Sequence, residues 1–338
     1  MEQKNMVPKR RFKEFQNTSA WEQRKLGKVV KTHQFRPYLA EPNAEGDFEV
    51  IQQGDRPVAG YTNGTPFENY RDVTLFGDHT VSLYKPTKPF FIATDGVKIL
   101  SADGLEGDFL FSLLERYKPE PQGYKRHFTI LKNQGAWITK NVEEQVKIGA
   151  FFKNLDHLIT LHQCKLEKMK TLKSAYLSEM FPAEGERVPK RRFAGFTQAW
   201  EQRKWEDTVD ISTNMVDPRT GLYDELPHIG PGNIESFTGK ILDNVLKVKD
   251  SNLISGKFHF YKGDIIYGKI NPQLGKYAIA PCEGLASADS YILNAKNGVV
   301  QNFLYSILQT KDFYKYSVSV SSRTGMPKIN RDELNVYN

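Results

Sequence analysis

Two stretches of the sequence occur twice, and this internal repeat constrains the fold more than any other feature. Pro8-Lys-Arg-Arg-Phe12 recurs as Pro189-Lys-Arg-Arg-Phe193, and Ala20-Trp-Glu-Gln-Arg-Lys25 recurs as Ala199-Trp-Glu-Gln-Arg-Lys204. Eleven identities in such short windows, including a tryptophan, are not a chance match. A repeat of this kind indicates two copies of one structural unit. The 338 residues are enough for two lobes and a connecting segment.

Weaker landmarks follow in the same order within each half. In the first half they are Gly77-Asp78, Lys85-Pro86, Ser101-Ala-Asp103 and Phe109-Leu-Phe-Ser-Leu-Leu114. In the second half they are Gly263-Asp264, Asn271-Pro272, Ser287-Ala-Asp289 and Phe303-Leu-Tyr-Ser-Ile-Leu308. We interpret the two series as equivalent positions of a shared scaffold whose loops differ in length.

Short apolar runs bounded by Gly, Pro, Asn and Asp predict strands in both halves. They are Val73–Phe76, Val81–Tyr84, Phe90–Ala93, Ile265–Tyr267 and Tyr291–Leu293. The predicted fold class is therefore α+β, with two similar lobes of mixed helix and strand joined by a long helix. We expect the first lobe at residues 1–140, including an N-terminal segment 1–20, the connector at 141–182 and the second lobe at 183–338.

The connector has the apolar periodicity of a long helix. From Asn141 to about Phe181 the only glycine is Gly149 and there is no proline. Glu143 and Glu144 near its start suit the helix dipole. The residues predicted to form a helix-pairing stripe are Ile148, Phe151, Leu155, Leu158, Leu166, Met169, Leu172 and Tyr176.

About 40 residues at 1.5 Å each give a rod of roughly 60 Å. Such a stripe requires a partner, either a second helix or a lobe; the alternative is a core helix of one globular domain.

Charge and cysteine content narrow the class of protein. Lys and Arg number 47 against 40 Asp and Glu, for a net charge of +7, which favours polyanionic partners. The two cysteines, Cys164 and Cys282, are too few for a disulfide framework or a zinc site, so a reducing cytoplasm is expected. The polar N-terminus lacks the apolar segment of a signal peptide, and no run is long enough to span a membrane. The sequence therefore predicts a soluble protein.

Catalytic and metal-binding motifs are missing from the sequence. No Gly-rich loop ends in Gly-Lys-Ser/Thr, and the seven histidines are scattered without metal-ligand spacing. Asn271-Pro-Gln-Leu274 lacks both the second proline and the aromatic residue of the Asn-Pro-Pro-aromatic loop of amino-methyltransferases. The sequence thus predicts a binding protein with no catalytic residues and no metal site.

At this point the sequence resembles a known family. Trp-Glu-Gln-Arg-Lys opens each half, and Val142-Glu-Glu-Gln-Val-Lys-Ile-Gly149 leads into the connector stripe. The second half adds Gly263-Asp-Ile-Ile-Tyr-Gly-Lys269 and Gly325-Met-Pro-Lys-Ile329. Over nearly the whole chain these motifs resemble the specificity subunit of type I restriction–modification systems, which act in host defence. The resemblance implies two target-recognition domains, each reading half of a split DNA target, with a coiled-coil spacer that sets the separation of the two halves.

The resemblance also implies partners and cofactors. Double-stranded DNA, modification (methyltransferase) subunits and restriction (motor-nuclease) subunits are the expected partners. Site-specific endonuclease and adenine methyltransferase activities would belong to the complex. S-adenosylmethionine, Mg²⁺ and ATP would be used by the partner subunits, and none is expected to bind this chain directly.

One departure from the family pattern affects the expected activity. Family members carry a second helix after the second lobe, whereas this sequence stops at Leu334-Asn-Val-Tyr-Asn338. A truncated or silent subunit, which needs a second specificity chain or another partner to cover its connector helix, is therefore an alternative. A diverged DNA methyltransferase and a non-DNA scaffold or RNA-binding protein are two further alternatives.

Basic residues in turns flanked by aromatic residues are the candidates for DNA contact, because such positions can project into a groove. In the first lobe they are Lys85, Lys88, Tyr124, Lys125, Arg126 and His127. In the second lobe they are Tyr267, Lys269, Lys276, Arg323 and Lys328, with Tyr277 nearby. The alternative for each cation is an ordinary solvated surface charge. We expect Arg323→Ala to weaken binding at one half of the target.

Overall fold

Two compact units make up the chain in a computed structural model that describes residues 5–123, 125–322 and 325–338. Unit 1 is Met1–Lys165 and unit 2 is Leu166–Asn338, so the division falls within the long helix. Each unit contains both helices and sheets, which confirms the predicted α+β class. The three-part division at residues 140 and 182 stays a prediction.

The described residues of unit 1 form ten strands and two α-helices before the long helix begins. The strands are β1 (Asn5–Met6), β2 (Trp21–Lys25), β3 (Val30–Thr32), β4 (Phe48–Ile51), β5 (Val58–Thr62), β6 (Thr74–Gly77), β7 (Leu83–Tyr84), β8 (Phe90–Ile92), β9 (Val97–Ala102) and β10 (Gly135–Ile138). The helices are α1 (Gly107–Tyr117), α2 (His127–Asn133) and α3 (Val142–Glu179). Short 3-10 turns lie at Lys13–Phe15, Leu26–Lys28, Arg36–Tyr38 and Tyr70–Asp72.

The part of unit 2 that the structure describes forms nine strands and four short α-helices. The strands are β11 (Val209–Ile211), β12 (Met215–Val216), β13 (Pro227–Ile229), β14 (Leu246–Lys247), β15 (Lys257–Phe260), β16 (Ile265–Gly268), β17 (Tyr277–Ile279), β18 (Gly284–Ala286) and β19 (Ser290–Ala295). The helices are α4 (Trp205–Thr208), α5 (Gln301–Ile307), α6 (Lys311–Ser321) and α7 (Arg331–Asn335). The 3-10 turns lie at Pro218–Thr220, Pro231–Asn233, Val248–Asp250 and Pro272–Leu274.

The central sheets of the two units have the same topology. The order β3-β9-β6-β7 in unit 1 matches β11-β19-β16-β17 in unit 2, and all neighbouring strands are antiparallel. The register also matches, because Val30 lies opposite Ala102 and Val209 lies opposite Ala295. The sequence-based inference of two copies of one fold is consistent with this pairing.

Each central sheet is buried on both faces, because helices cover one face and a second sheet covers the other. In unit 1, Phe76 packs with residues of α1 and α2, while its neighbour Leu75 packs against the sheet β5-β4-β8. In unit 2, Tyr267 packs with α5, α6 and α7, and Ile266 packs against the sheet β12-β15-β18-β13-β14. Alternate side chains of one strand point to opposite faces, so the central strands are apolar throughout.

The strand register corrects three of the sequence landmarks. Lys85-Pro86 follows β7, whereas Asn271-Pro272 precedes β17, the counterpart of β7. Gly77 pairs with Val97 and Gly268 pairs with Ser290, so Gly268 is the counterpart of Gly77. Gly263-Asp264 precedes its strand whereas Gly77-Asp78 ends one, and the predicted equivalence of these dipeptides is wrong. Similarly, Ser101-Ala-Asp103 lies at the end of β9 whereas Ser287-Ala-Asp289 precedes β19. The Phe109 and Phe303 segments do correspond, since each forms the helix that follows the last strand of its central sheet.

The predicted strands are found, but one begins later than expected. The sequence pattern predicts a strand from Val81 to Tyr84, whereas β7 starts at Leu83. Val81 has a φ of 61°, and its amide donates to the Gly77 carbonyl at 2.9 Å. A tight turn therefore reverses the chain between β6 and β7. This left-handed conformation is unusual for a β-branched residue.

α3 spans 38 residues, close to the predicted extent, which corresponds to about 57 Å. Its first two turns are fixed in unit 1, where Glu144, Gln145 and Gly149 are buried. A methyl group on Gly149 would lie 2.7 Å from the backbone nitrogen of Phe109, so the lack of a side chain permits α3 to approach the start of α1. Within the described ranges, no helix combines the length and the apolar character needed to cross a bilayer.

Candidate nucleic-acid interface

In unit 1, the turn that follows β6 meets the segment that precedes α2. The carbonyl oxygen of Asp78 accepts hydrogen bonds from the backbone nitrogen of His127 at 2.9 Å and from His127 Nδ1 at 3.0 Å. The Asp78 carboxylate accepts from the amide of Phe128 at 2.8 Å, in the first turn of α2. These contacts place the exposed side chains of Lys125 and Arg126 next to the end of the central strand.

The same two segments meet in unit 2. The carbonyl of Lys269, which directly follows β16, accepts a hydrogen bond from the amide of Ile329 at 3.0 Å. The Asn271 amide donates to the Pro327 carbonyl at 2.8 Å, and Ile270 pairs with Lys328 in an isolated antiparallel bridge. Lys328 is exposed and lies just before α7.

We call this meeting point the strand-end site, and it occurs once in each unit. In unit 1 it comprises Asp78 and Lys125–His127. In unit 2 it comprises Lys269–Asn271 and Lys328–Ile329. The amides of His127 and Ile329 make the same contact with the residue that follows the central strand, and both side chains are fully buried. Basic side chains border the site in each unit. The shared scaffold thus places predicted DNA-contacting residues at the equivalent position in each unit. Their contact with DNA stays a prediction.

In the unit 2 site, Lys269 and Lys328 lie close enough for their charges to interact. Burial lowers the pKa of Lys269, the neighbouring Lys328 charge lowers it further, and Asp289 acts in the opposite direction. The Lys269 ammonium also lies 5.0 Å from the ring centroid of Tyr291. A phosphate group placed near both lysines would favour their charged forms.

Arg331 is a basic residue of this site that sequence reasoning missed. Its positive charge also lowers the pKa of Lys269. Its guanidinium donates to the carbonyl oxygens of Ile211 at 2.8 Å and Ser212 at 3.2 Å, which fixes it beside the sheet. Its position three residues after Lys328 is the available signal, but sequence spacing alone does not show that Arg331 lies beside Lys269.

Three other predicted cations are engaged in contacts within their own units. Lys85 Nζ donates to the backbone carbonyls of Arg71 at 2.5 Å and Val73 at 3.1 Å. Lys276 Nζ donates to the Ile234 carbonyl at 2.5 Å, and Lys88 pairs with Glu49 at 3.0 Å. Burial lowers the pKa of Lys85, and the nearby Asp108 partly opposes this effect. These lysines stabilise loops in the structure, and whether they also contact DNA stays a prediction.

The structure corrects two assignments and leaves two others outside the described residues. Tyr267 lies on the central strand and is only 3% exposed, so its ring is not available to DNA. His127 is fully buried: its Nε2 accepts from the Gln122 amide at 2.8 Å, and its Nδ1 is bonded to Asp78. Tyr277, named as a neighbour, is also buried, and burial raises its pKa to about 12. Tyr124 and Arg323 lie outside the described residues.

The predicted helix-pairing residues form a largely uncovered stripe on α3. Ile148 is half-buried and packs against the core of unit 1. The other seven are exposed, namely Phe151, Leu155, Leu158, Leu166, Met169, Leu172 and Tyr176. Exposed fractions range from 39% at Leu155 and Tyr176 to 55% at Leu166. Contiguous exposed apolar surface of this kind commonly marks an interaction site.

No metal centre is found among residues 5–123, 125–322 and 325–338, since no three His, Cys, Asp or Glu side chains there are grouped to hold an ion. Both cysteines are exposed and unpaired. What the described residues do offer is basic surface at two equivalent positions and an apolar stripe on a long helix.

Comparisons with known proteins point to type I restriction–modification specificity subunits. The chain is 33% identical over 157 residues to the type I restriction enzyme EcoDI specificity subunit of Escherichia coli. Its fold is similar to the crystal structure of the S subunit of a type I restriction–modification system from M. genitalium, with a TM-score of 0.62, 14% identity, and coverage of 98% of this chain and 86% of the other. The resemblance to type I specificity subunits is confirmed.

The extent of this relationship is uneven. The match to the EcoDI subunit covers 46% of this chain and 34% of that subunit, so it spans about a third of the curated relative. The structural match to the M. genitalium S subunit covers almost all of this chain and concerns the fold alone. No protein-family model matches the sequence.

Proposed function

We propose that this chain is the sequence-specific DNA-binding subunit of a type I restriction–modification complex and has no catalytic role of its own. The observation that carries the proposal is the strand-end site, which places basic side chains at the same structural position in two units of one fold. Its relationship to the EcoDI specificity subunit and the S-subunit fold support it. In this proposal each unit reads one half of a bipartite duplex target.

In this proposal the chain contacts the DNA, and partner subunits carry out the reactions on it. Lysine and arginine contacts to phosphates supply affinity that falls with salt, while contacts to base edges supply sequence information. Exposed Lys125, Arg126 and Lys328 are suited to the first role. Methyl transfer and cleavage would belong to modification and restriction subunits, which would use S-adenosylmethionine, Mg²⁺ and ATP in the cytoplasm.

We further propose that α3 sets the gap between the two half-targets. A helix is stiff and adds about 1.5 Å per residue, so its length can act as a spacer. The exposed stripe on α3 would be covered by a second helix, from another specificity chain or from a partner subunit. Without that cover the chain would be a silent subunit, which remains the second candidate function.

The test combines binding with methylation mapping. The purified chain should select, from randomised duplexes, a motif of two short blocks separated by unread base pairs, with affinity that falls steeply as salt increases. Cells that carry the chain with a modification subunit should show methylation at the same motif. Selection of one continuous block, or methylation by the chain alone, would contradict the proposal.

A recovered RNA motif would instead favour the scaffold or RNA-binding alternative. A chain that binds no duplex alone, but binds one after a helix-bearing partner is added, would identify the silent-subunit state.

A further inference from the structure

A small cavity lies in unit 2 at the turn that connects β16 and β17. Its volume is about 140 Å³, and Pro272 and Gly275 of the turn form part of its lining. The rings of Tyr267, Tyr277 and Phe313 also line it, and none of these three residues is more than 5% exposed. The volume is close to that of the roughly 150 Å³ apolar cavity that accommodates one benzene molecule. The cavity therefore has room for a single aromatic ring.

The hydroxyl groups around the cavity already have hydrogen-bond partners within unit 2. Tyr267 is hydrogen-bonded to Ser317, and the Tyr277 hydroxyl donates to the Phe237 carbonyl at 3.1 Å. The Thr310 side chain caps the start of α6. These groups are satisfied without a ligand.

Gln309 differs from these residues, because one end of its side-chain amide has no partner. Its Nε2 donates to the Tyr305 carbonyl at 3.0 Å. Its Oε1 is buried, and no donor among the described residues reaches it. Since the Tyr305 carbonyl can only accept, the nitrogen must face it and the oxygen is the atom left unpaired. A buried acceptor without a donor is costly, so Oε1 favours a ligand that carries an N–H or O–H group.

The exposed rim of the cavity is held in a strained backbone conformation. Phe237 has a φ of 62°, in the left-handed region that a bulky residue rarely adopts. Its amide donates to the Gly275 carbonyl at 2.9 Å, which fixes this conformation against the turn. Its ring lies edge-on to Tyr314, with centroids 5.6 Å apart. Strained residues of this kind cluster at ligand clamps and active sites.

Gly275 allows the Phe237 ring to lie against the turn. A methyl group on Gly275 would be 2.4 Å from Cε1 of Phe237. Phe237 is 50% exposed, so its ring separates the buried part of the cavity from solvent. Among the described lining residues Lys311 alone carries a charge, and it is exposed. The buried part is therefore suited to an uncharged ligand, because an unpaired charge is costly to bury.

We propose that unit 2 contains a binding pocket for an uncharged molecule with one aromatic ring and an N–H or O–H donor. The ring lies among Tyr267, Tyr277 and Phe313, the donor reaches Gln309 Oε1, and Phe237 covers the exposed side. Contacts between rings supply affinity, and the hydrogen bond selects among rings of equal size. The pocket does not depend on the proposed DNA contacts.

The test uses the full chain and two probes, para-fluorophenol and fluorobenzene, which share a ring and differ in the hydroxyl donor. Fluorine NMR titration should show saturable binding of para-fluorophenol with a stoichiometry of one. Gln309→Met keeps an unbranched side chain and removes the acceptor. It should weaken para-fluorophenol binding about fivefold or more and leave fluorobenzene binding within about twofold, as expected for loss of one hydrogen bond.

Hydrogen exchange, read by mass spectrometry, locates the bound probe. Saturating para-fluorophenol should slow exchange at residues 273–277 and 309–317, which border the cavity. Exchange at residues 78–83, the equivalent turn of unit 1, should stay the same.

Matched controls separate the loss of the pocket from general effects of substitution. Gln198→Met makes the same change at an exposed position of unit 2 and should leave the binding of both probes unchanged. Phe237→Ala opens the cavity to solvent and should weaken the binding of both probes. Phe193→Ala removes a ring that is 70% exposed elsewhere in unit 2 and should weaken neither. The Phe237→Ala chain provides a second variant if the Gln309→Met chain does not fold.

Three results would overturn the proposal. The probe para-fluorophenol could show no saturable binding to the folded chain, or could bind equally well to the Gln309→Met chain. Exchange could also slow equally in both units, in which case the probe coats apolar surface in general and does not occupy this cavity.

Discussion

Arg11 and Glu144, which are 133 positions apart, form a two-point ion pair in which Nε and Nη2 each lie 2.7 Å from a carboxylate oxygen. The pair ties the repeated N-terminal motif to the first turn of α3. Burial acts to raise the pKa of Glu144, but hydrogen bonds from Arg11, Thr139 and Trp21 outweigh it, and the pKa is lowered. The start of the long helix is thereby fixed in unit 1 by a charged group.

Replacing Glu144 with glutamine should destabilise unit 1 at neutral pH by about 3 kcal/mol, because it leaves the Arg11 charge buried without its partner. The stabilisation by Glu144 is fully present above the unfolded pKa, near 4.5, and is lost as pH falls through the lower folded value. Urea unfolding of both proteins across this range should therefore show their difference shrinking in acid. Glu143→Gln, at the exposed neighbouring position, is the control and should change little. A difference independent of pH would contradict the charged-pair interpretation.

Gly149→Ala should destabilise unit 1 through overlap with α1. The added methyl group would lie 2.7 Å from Phe109 N and 2.8 Å from the Glu106 carboxylate that caps α1. Overpacking of this kind costs about 1–3 kcal/mol, while alanine gains roughly 1 kcal/mol in helix propensity. We expect a net loss of about 1 kcal/mol by chemical denaturation. Ser174→Ala, at an exposed position of α3, should be neutral or slightly stabilising; equal behaviour of the two variants would argue against the close packing.

Lys269→Gln and Lys328→Gln should weaken duplex binding and make it less sensitive to salt. Each phosphate contact that is lost should reduce the slope of log affinity against log salt by about 0.9. Lys276→Gln is a matched comparison, because its ammonium is bonded to the Ile234 carbonyl and its loss should mainly lower stability. Fluorescence anisotropy titrations at several salt concentrations measure the slopes. If Lys276→Gln alone changed the slope, the assignment of the strand-end site would be wrong.

Insertion of four residues after Met169 should widen the gap between the two recognised half-targets. The insertion adds about 6 Å to α3, close to two base pairs at about 3.4 Å each. Methylation mapping with the modification partner reads the gap directly. An insertion of the same length in an exposed loop of unit 2, next to Leu222, should leave the gap unchanged. The same gap in both insertion variants would eliminate the spacer role.

The sequence predicted the elements that depend on local pattern and on the repeat. The extent of α3, its exposed stripe and the α+β class follow from periodicity and from motifs that occur twice. The predicted equivalence of Gly77 and Gly263 is wrong because a Gly-Asp dipeptide occurs at many turns. Only the strand register identifies Gly268 as the counterpart of Gly77. Glu144 was assigned to the helix dipole because its partner Arg11 is distant in sequence.

The candidate site was predicted less well than the fold. The sequence predicts DNA contact for Lys125, Arg126, Lys269 and Lys328 one by one, and it does not predict that they lie at equivalent positions in the two units. Local composition could not distinguish them from Lys85 and Lys276, whose ammonium groups are held by backbone carbonyls. Nor could it show that His127 and Tyr267 are buried, since burial depends on packing between distant segments.

The repeated hexapeptide forms strand β2 in unit 1, whereas Trp200–Lys204 of unit 2 lies in no strand. This difference has a practical consequence for proteolysis. Trypsin cleaves a folded chain where the backbone can leave its pairing and enter the active site of the protease. Cleavage after Arg203 should therefore precede cleavage after Arg24, because both are Arg-Lys bonds and, of the two, Arg24 lies in a strand. The ratio of these two cleavage rates therefore compares the copy of the hexapeptide that lies in a strand with the copy that does not.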